Sequence, residues 1–122
     1  MPQRVMIVED DQHIALLLRY NLEAAGFEVE HHACGSQVER RIGEQPPDLV
    51  VLDWMLPGIS GIELCRRIRR LEDAAHIPII ILTARTAKGD REFARLVGAN
   101  DFLTKPFEIS EVLMKARGLI NA

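Results

Sequence analysis

The sequence predicts a doubly wound α/β domain built on a five-stranded parallel sheet. Three observations carry that expectation. Short apolar runs alternate with amphipathic stretches five times along the 122 residues, as in a chain of βα units. Three of the runs, at Val5–Val8, Leu49–Leu52 and Ile79–Leu82, are continuous or nearly so, the pattern of strands covered on both faces. No linker, repeat or low-complexity segment interrupts the alternation, so one domain over residues 1–122 is expected.

Taken in order, the first strand is read at Val5–Val8. Behind it Ile14, Leu17, Leu18, Leu22 and Ala25 recur at helical spacing, with Asp11 placed to cap the start and Gly26 to cap the end. Glu28–His32 is the second strand, and Val38 with Ile42 marks a short second helix. Leu49–Leu52 is the third strand. Ile62, Cys65, Ile68 and Leu71 trace the inward stripe of the third helix. Ile79–Leu82 is followed by a fourth helix at Asp90–Val97, which rests on the weakest signal. Phe102–Thr104 is the fifth strand, and Ile109, Val112, Leu113, Ala116, Leu119 and Ile120 keep one face of the last helix apolar.

Composition removes several classes of function. With 48% hydrophobic and 27% charged residues the chain is neither disordered nor collagen-like nor a coiled coil. Fifteen Lys and Arg against eighteen Asp and Glu give a net charge of −3, which supplies no long-range pull toward nucleic acid or anionic membrane. Neither direct nucleic-acid binding nor membrane association is expected of this domain. Cys34 and Cys65 form no CxxC pair or zinc cluster and are expected unpaired, in a reduced, cytoplasmic setting. The opening MPQRVMIVED places acids directly after a short apolar run, unlike a signal peptide or a membrane span, so the mature chain is expected to begin at its own first strand.

Open α/β sheets bind ligands outside the carboxyl ends of their strands, so those ends are where function is sought. Strand one ends in Glu9, Asp10 and Asp11, strand three in Asp53, strand four in Thr83 and strand five in Lys105 followed by Pro106. Carboxylates packed this closely repel one another unless a cation joins them. Two or three hard oxygen ligands suit Mg²⁺, which keeps several waters and is completed by a phosphate. A carboxylate beside such a cation, a lysine and a hydroxyl is a workable phosphoryl acceptor. Asp53 is the expected nucleophile, because strand three should be central. Glu9 and Asp10 would hold the metal directly or through water, and Lys105 and Thr83 would bind phosphoryl oxygens.

These residues carry a resemblance. VEDD at 8–11, LDWMLPGISG at 52–61, LTAR at 82–85 and TKPF at 104–107 resemble, in order and spacing, the response-regulator receiver domains of two-component signalling. The DWMLPG wording is most similar to the OmpR/PhoB subfamily, whose members usually join this domain to a winged-helix DNA-binding domain. The resemblance covers essentially the whole chain. It implies the flavodoxin-like (βα)5 receiver fold with strand order 2-1-3-4-5. It also implies that Asp53 accepts phosphate from a histidine kinase, that Asp10, Asp53 and the Met55 carbonyl bind Mg²⁺, and that Glu9 acts through metal-bound water. Thr83 and Lys105 would bind the phosphoryl group, and the Lys105–Pro106 bond would be cis, as proline's tertiary amide permits. Thr83 and Phe102 occupy the switch positions. The subfamily usually has tyrosine at the second, and without a hydroxyl Phe102 should hold its inward state more easily. The resemblance further implies homodimers formed on phosphorylation through the fourth helix, fifth strand and fifth helix, paired as Arg91 with Glu111 and Asp101 with Lys115. Leu96 replaces an acid that would face Arg117, and Asn100 replaces an aspartate, so weaker dimerisation than usual is expected.

Plainer readings stand beside these. Asp10 and Asp11 alone read as a helix cap, Thr83 as a turn former and Lys105 as a solvated lysine; their joint occurrence favours the site. Gly58 and Gly61 are expected to serve the turn into the third helix. His13, His31, His32 and His76 lack metal-ligand spacing and are read as surface or strand-edge residues. Arg40, Arg41, Arg66, Arg67, Arg69 and Arg70 are read as a solvated face rather than a nucleic-acid footprint. Among Phe93, Leu96 and Val97 at least one should be core, with Leu96 the surface candidate. Trp54 should report Mg²⁺ binding by fluorescence, and Met55 and Arg85 sit where the family tunes phosphoryl lifetime. A haloacid-dehalogenase-like phosphohydrolase needs an acid two residues after the nucleophile, where Met55 stands. A flavodoxin-like cofactor binder needs a glycine loop after strand one, where the acids stand. A docking module without phosphotransfer, and a stand-alone receiver as against one excised from a longer regulator, remain as alternatives.

Overall fold

Five strands and five helices alternate along the chain in a computed structural model that describes residues 2–85 and 87–121. They are β1 (Arg4–Val8), α1 (Gln12–Ala24), β2 (Glu28–His32), α2 (Val38–Glu44) and β3 (Leu49–Asp53), then α3 (Gly61–Arg70), β4 (Ile79–Thr83), α4 (Asp90–Val97), β5 (Asp101–Thr104) and α5 (Ile109–Ile120). All pairings are parallel and the order is β2-β1-β3-β4-β5, the doubly wound order expected. Strand-order reversal at β1 and β3 opens a crevice at their carboxyl ends.

The two periods of the sequence explain the two cores. Alternate residues of β1, β3 and β4 face opposite sides of the sheet. Met6, Val8, Val50, Leu52, Ile79 and Ile81 pack with α2, α3 and Ala94 of α4. Val5, Ile7, Leu49, Val51, Ile80 and Leu82 pack on the other side with α1 and α5. Both faces are therefore dry, and the runs read as continuous rather than alternating.

Several boundaries and faces differ from the sequence reading. β1 begins at Arg4, β3 and β4 extend through Asp53 and Thr83, and β5 begins at Asp101. In α1 the buried face runs through Ala15, Leu18 and Leu22, while Leu17 is 46% exposed. Three successive leucines at 16–18 offer three registers, and the small Ala15 permits the close approach to the sheet. In α3 Leu64 is fully buried beside the expected stripe. Val97 packs on the core while Phe93 and Leu96 stay exposed, so one of the three is core as expected.

The arginine reading needs two corrections. Arg40, Arg66 and Arg67 pair with acids on exposed helix faces. Arg41 instead returns to β2 and grips Glu30 through two hydrogen bonds of 2.9 Å, in a cluster with Arg4 and His32. Hydrogen bonding from Arg41 holds the Glu30 carboxyl down to about 2. Arg69 folds back onto the end of α4, donating to the Gly98 carbonyl at 2.9 Å and to Asn100 Oδ1 at 2.8 Å. The same Asn100 oxygen accepts the Ile79 N–H, so the residue standing in for an aspartate is tied into the fold.

Candidate functional site

The site forms where β1, β3, β4 and β5 end. Asp53 is the last residue of the central strand, and Thr83 the last of its neighbour. Glu9 follows β1 directly, its N–H still bonded to the His32 carbonyl at 3.0 Å, so the ladder holds the acid beside Asp53. The two candidate caps divide their work. Asp11 Oδ1 accepts the N–H groups of His13 and Ile14 at 2.9 and 3.2 Å, and caps α1. Asp10 is left exposed with its carboxylate at the mouth of the site.

Glu9 is fully buried and Asp53 nearly so. Glu9 Oε1 accepts from Lys105 Nζ at 2.8 Å, and Oε2 from the Asp11 N–H at 3.1 Å. Lys105 Nζ lies 3.4 Å from Asp53 Oδ2, while Asp53 Oδ1 accepts the Met55 N–H at 3.2 Å. Carboxylate oxygens of Glu9, Asp10 and Asp53 lie within 4.8 Å of one another. This all-oxygen, convergent donor set fits a hard divalent cation such as Mg²⁺. The Lys105–Pro106 peptide is cis, as the resemblance implied.

Burial pushes the Glu9 carboxyl up to about 7; the Lys105 bond opposes this and Asp53 reinforces it. Burial depresses Lys105 most among single causes, but its bond to Glu9 and the charge of Asp53 leave the ammonium above its usual range. The Glu9 shift has a sign. A carboxyl whose folded pKa lies above its unfolded value binds more protons folded than unfolded, so its contribution to stability is lost as pH rises from about 4.5 to about 7. In chelator, urea midpoints are expected to fall between pH 5 and pH 8, and Mg²⁺ is expected to flatten that slope by stabilising the ionised form. Identical slopes with and without Mg²⁺ would exclude Glu9 from the cation site.

Thr83 is fully buried, and its hydroxyl oxygen accepts the Arg85 N–H at 3.0 Å; among the described residues its hydroxyl proton meets no acceptor. The Arg85 side chain crosses the site wall: its guanidinium lies 4.6 Å over the Trp54 ring and 3.3 Å from Asp90 Oδ1. Trp54 meets Phe102 edge-on at 6.3 Å and Phe93 at 6.1 Å. Phe102 is buried, with Arg91 5.3 Å over its ring.

Every strand-end residue singled out from the sequence thus reaches one edge of the sheet, while Asp11 serves the helix. The Arg85–Trp54 stack and a hydrogen bond from His31 to the Glu9 carbonyl at 2.8 Å were not anticipated. Both join residues whose adjacency follows from strand register, which no local motif encodes. His31 and His32 are strand-edge residues, as read, on the outer strand β2.

Fold and site together define a doubly wound α/β domain with a lysine-bridged acidic site at its topological switch point. The chain belongs to the response regulator receiver domain family, whose model matches residues 5–117, and is a receiver domain of two-component response regulators. It is 45% identical over 99% of its length to the phosphate regulon transcriptional regulatory protein PhoB of Rhizobium meliloti, covering 53% of that protein. It is 39% identical over 97% of its length to the DNA-binding dual master transcriptional regulator RpaA of Synechocystis, covering 49% of it. The chain therefore spans about half the length of these relatives. A putative response regulator from Chloroflexus aurantiacus superposes with a TM-score of 0.94 at 34% identity, each chain covered in full. The receiver domain of a sensor histidine kinase from Pseudomonas aeruginosa, solved with a magnesium ion coordinated in its active-site cleft, superposes at 0.91 with 33% identity and full coverage of both chains. No described helix is long and apolar enough to cross a membrane.

Proposed function

We propose that this domain is a phosphorylation-driven switch in which Asp53 takes a phosphoryl group from a phosphohistidine of a histidine kinase. The observation that carries the reading is the Asp53 carboxylate at the end of the central strand, beside Glu9 and Asp10 and 3.4 Å from the Lys105 ammonium. An Asp53 oxygen forms a bond to phosphorus as the phosphorus–nitrogen bond to the imidazole breaks, and the imidazole leaves with the bonding pair. Lys105 shifts from Glu9 and Asp53 to pair with a phosphoryl oxygen, and the Thr83 hydroxyl donates its hydrogen bond to another. Glu9, Asp10, Asp53 and the Met55 carbonyl would hold Mg²⁺, Glu9 directly or through water, and the ion when bound neutralises charge on the transferring group. The Mg²⁺ in the Pseudomonas aeruginosa relative supports this assignment. The domain's own residues supply the catalysis, and slow hydrolysis of the acyl phosphate resets it.

The output is read as homodimerisation through α4, β5 and α5, with Thr83 and Phe102 as the switch. Leu96 is 86% exposed there. Lys115 currently pairs within the chain with Asp101 at 2.9 Å and Glu111 at 3.7 Å, so the dimer pairs Arg91–Glu111 and Asp101–Lys115 require an exchange of partners. Relatives about twice as long are named as transcriptional regulators, which supports a cytoplasmic role in transcription through a DNA-binding domain beyond these residues. A phosphohydrolase is disfavoured because exposed Met55 has no proton to give.

Intact mass after incubation with acetyl phosphate tests the reading. One phosphoryl adduct is expected with Mg²⁺ and none with chelator, and sedimentation of the same samples should shift toward dimer. A folded protein that binds Mg²⁺ yet gains no adduct from either acetyl phosphate or a phosphorylated kinase domain would overturn it.

A further inference from the structure

The acidic loop has a fastening that the reaction itself does not require. β1 and β2 pair with Ile7 opposite His31 and Val8 opposite His32, and their ladder ends at the Glu9 N–H. The carbonyl of the same residue would come next in the ladder, but there β2 has already turned away into residues 33–37. The ring of His31 takes the place of the missing strand, with Nε2 2.8 Å from that carbonyl oxygen. A carbonyl only accepts, so Nε2 must carry the proton. The contact fixes the peptide between Glu9 and Asp10, the unit from which both carboxylates project. His31 also lines an open cavity of about 360 Å³ together with Gln12, Ala15, Leu16 and Arg19 of α1.

We propose that His31 is a positioning residue for the cation and phosphoryl site: its Nε2–H, donated to the Glu9 carbonyl, holds Glu9 and Asp10 in register with Asp53. The proposal rests on the reading of Glu9, Asp10 and Asp53 as the Mg²⁺ site. Groups one step removed from a metal commonly change its affinity by tenfold or more when lost. Glutamine, whose amide N–H₂ can replace the imidazole donor, should largely preserve the contact; phenylalanine keeps the bulk and lacks the donor.

Mg²⁺ titrations followed by Trp54 fluorescence, with thermal melts in chelator, test it on the intact domain. His31→Phe is expected to bind Mg²⁺ about tenfold more weakly while melting within a few degrees of the parent, and His31→Gln to bind within about twofold of it. Parent-like affinity in a folded His31→Phe, or equal loss in His31→Gln, overturns the positioning role and leaves the site reading intact. A parent protein with no Mg²⁺ response overturns the site reading, and this proposal with it. A measurement without substitution keeps the idea exposed should His31→Phe fail to fold. Nitrogen-15 spectra of the parent imidazole should place the proton on Nε2, and an Nδ1–H tautomer would refute it.

Discussion

Asp53→Ala is expected to form no phosphoryl adduct, a loss on the order of a thousandfold or more in rate, while melting no lower than the parent in chelator. The first half follows from what the other acids are doing. Glu9 has one oxygen on Lys105 and the other on the Asp11 N–H, and is closed to solvent, so an incoming phosphoryl donor has no path to it. Asp11 is committed to capping α1. Asp10 is open to solvent and its carboxylate converges with those of Glu9 and Asp53, but the Lys105 ammonium contacts Glu9 and Asp53, and Asp53 alone of the three ends the central strand. The second half follows from charge. Removing Asp53 relieves Glu9 of a like-charged neighbour and leaves the 2.8 Å Lys105–Glu9 pair in place. Mg²⁺ should then add less to the melting temperature of the variant than to that of the parent, because one of three converging carboxylates is gone. Retention of a Mg²⁺-dependent adduct in Asp53→Ala would move the acceptor elsewhere. A collapse in stability would mean that Asp53 supports the fold rather than straining it.

The fold was legible because its strongest signals are local. LVVL and IIIL sit between turn residues and can be dry strands without knowing their partners, and α5 keeps one apolar face for three turns. The weak signal at α4 also resolved correctly, at Asp90–Val97, between Gly89 and Gly98, both with positive φ. What failed locally was choice among equivalents. Leu16, Leu17 and Leu18 offer α1 three possible buried faces, and only contact with the sheet selects Leu18 with Ala15. Ser60 and Glu63 form the start of α3, where Ser60 Oγ accepts the Glu63 N–H at 3.2 Å, an S-x-x-E signal that could have been read from the sequence.

The site was legible as a set and not as a circuit. Strand ends converge in any doubly wound sheet, so Glu9, Asp10, Asp53, Thr83 and Lys105 were bound to meet once five strands were placed. Which acid Lys105 grips is a different kind of fact. It takes buried Glu9 at 2.8 Å over Asp53 at 3.4 Å, the pair that most needs a counter-charge. Arg69 shows the same limit: its helical position suggested solvent, and a neighbouring helix end recruited it.

Gly61→Ala is expected to be the most disruptive single-methyl change in the molecule, costing about 3 kcal/mol or more and lowering the melting temperature by roughly 10–15 °C. The first residue of α3 rides directly against the end of β3, with its N–H bonded to the Trp54 carbonyl at 2.9 Å. A Cβ there would press on the Asp53 carbonyl, lying 2.8 Å from its carbon and 3.1 Å from the Trp54 Cα. These are backbone atoms, and the Trp54 N–H is itself bonded into the sheet at the Leu82 carbonyl at 2.8 Å, so nothing nearby can rotate away. Either α3 lifts or the peptide carrying Asp53 shifts, and both move the proposed acceptor from Lys105 and Thr83. Gly118→Ala supplies the contrast. That glycine lies inside α5 with open space where a Cβ would go, so alanine should stabilise by about 0.5–1 kcal/mol through helix propensity alone. Urea denaturation of the two variants beside the parent decides the matter. A Gly61→Ala protein that unfolds at the parent's midpoint and accepts phosphate at the parent's rate would show that the close approach of α3 to β3 is not what fixes Asp53 in place.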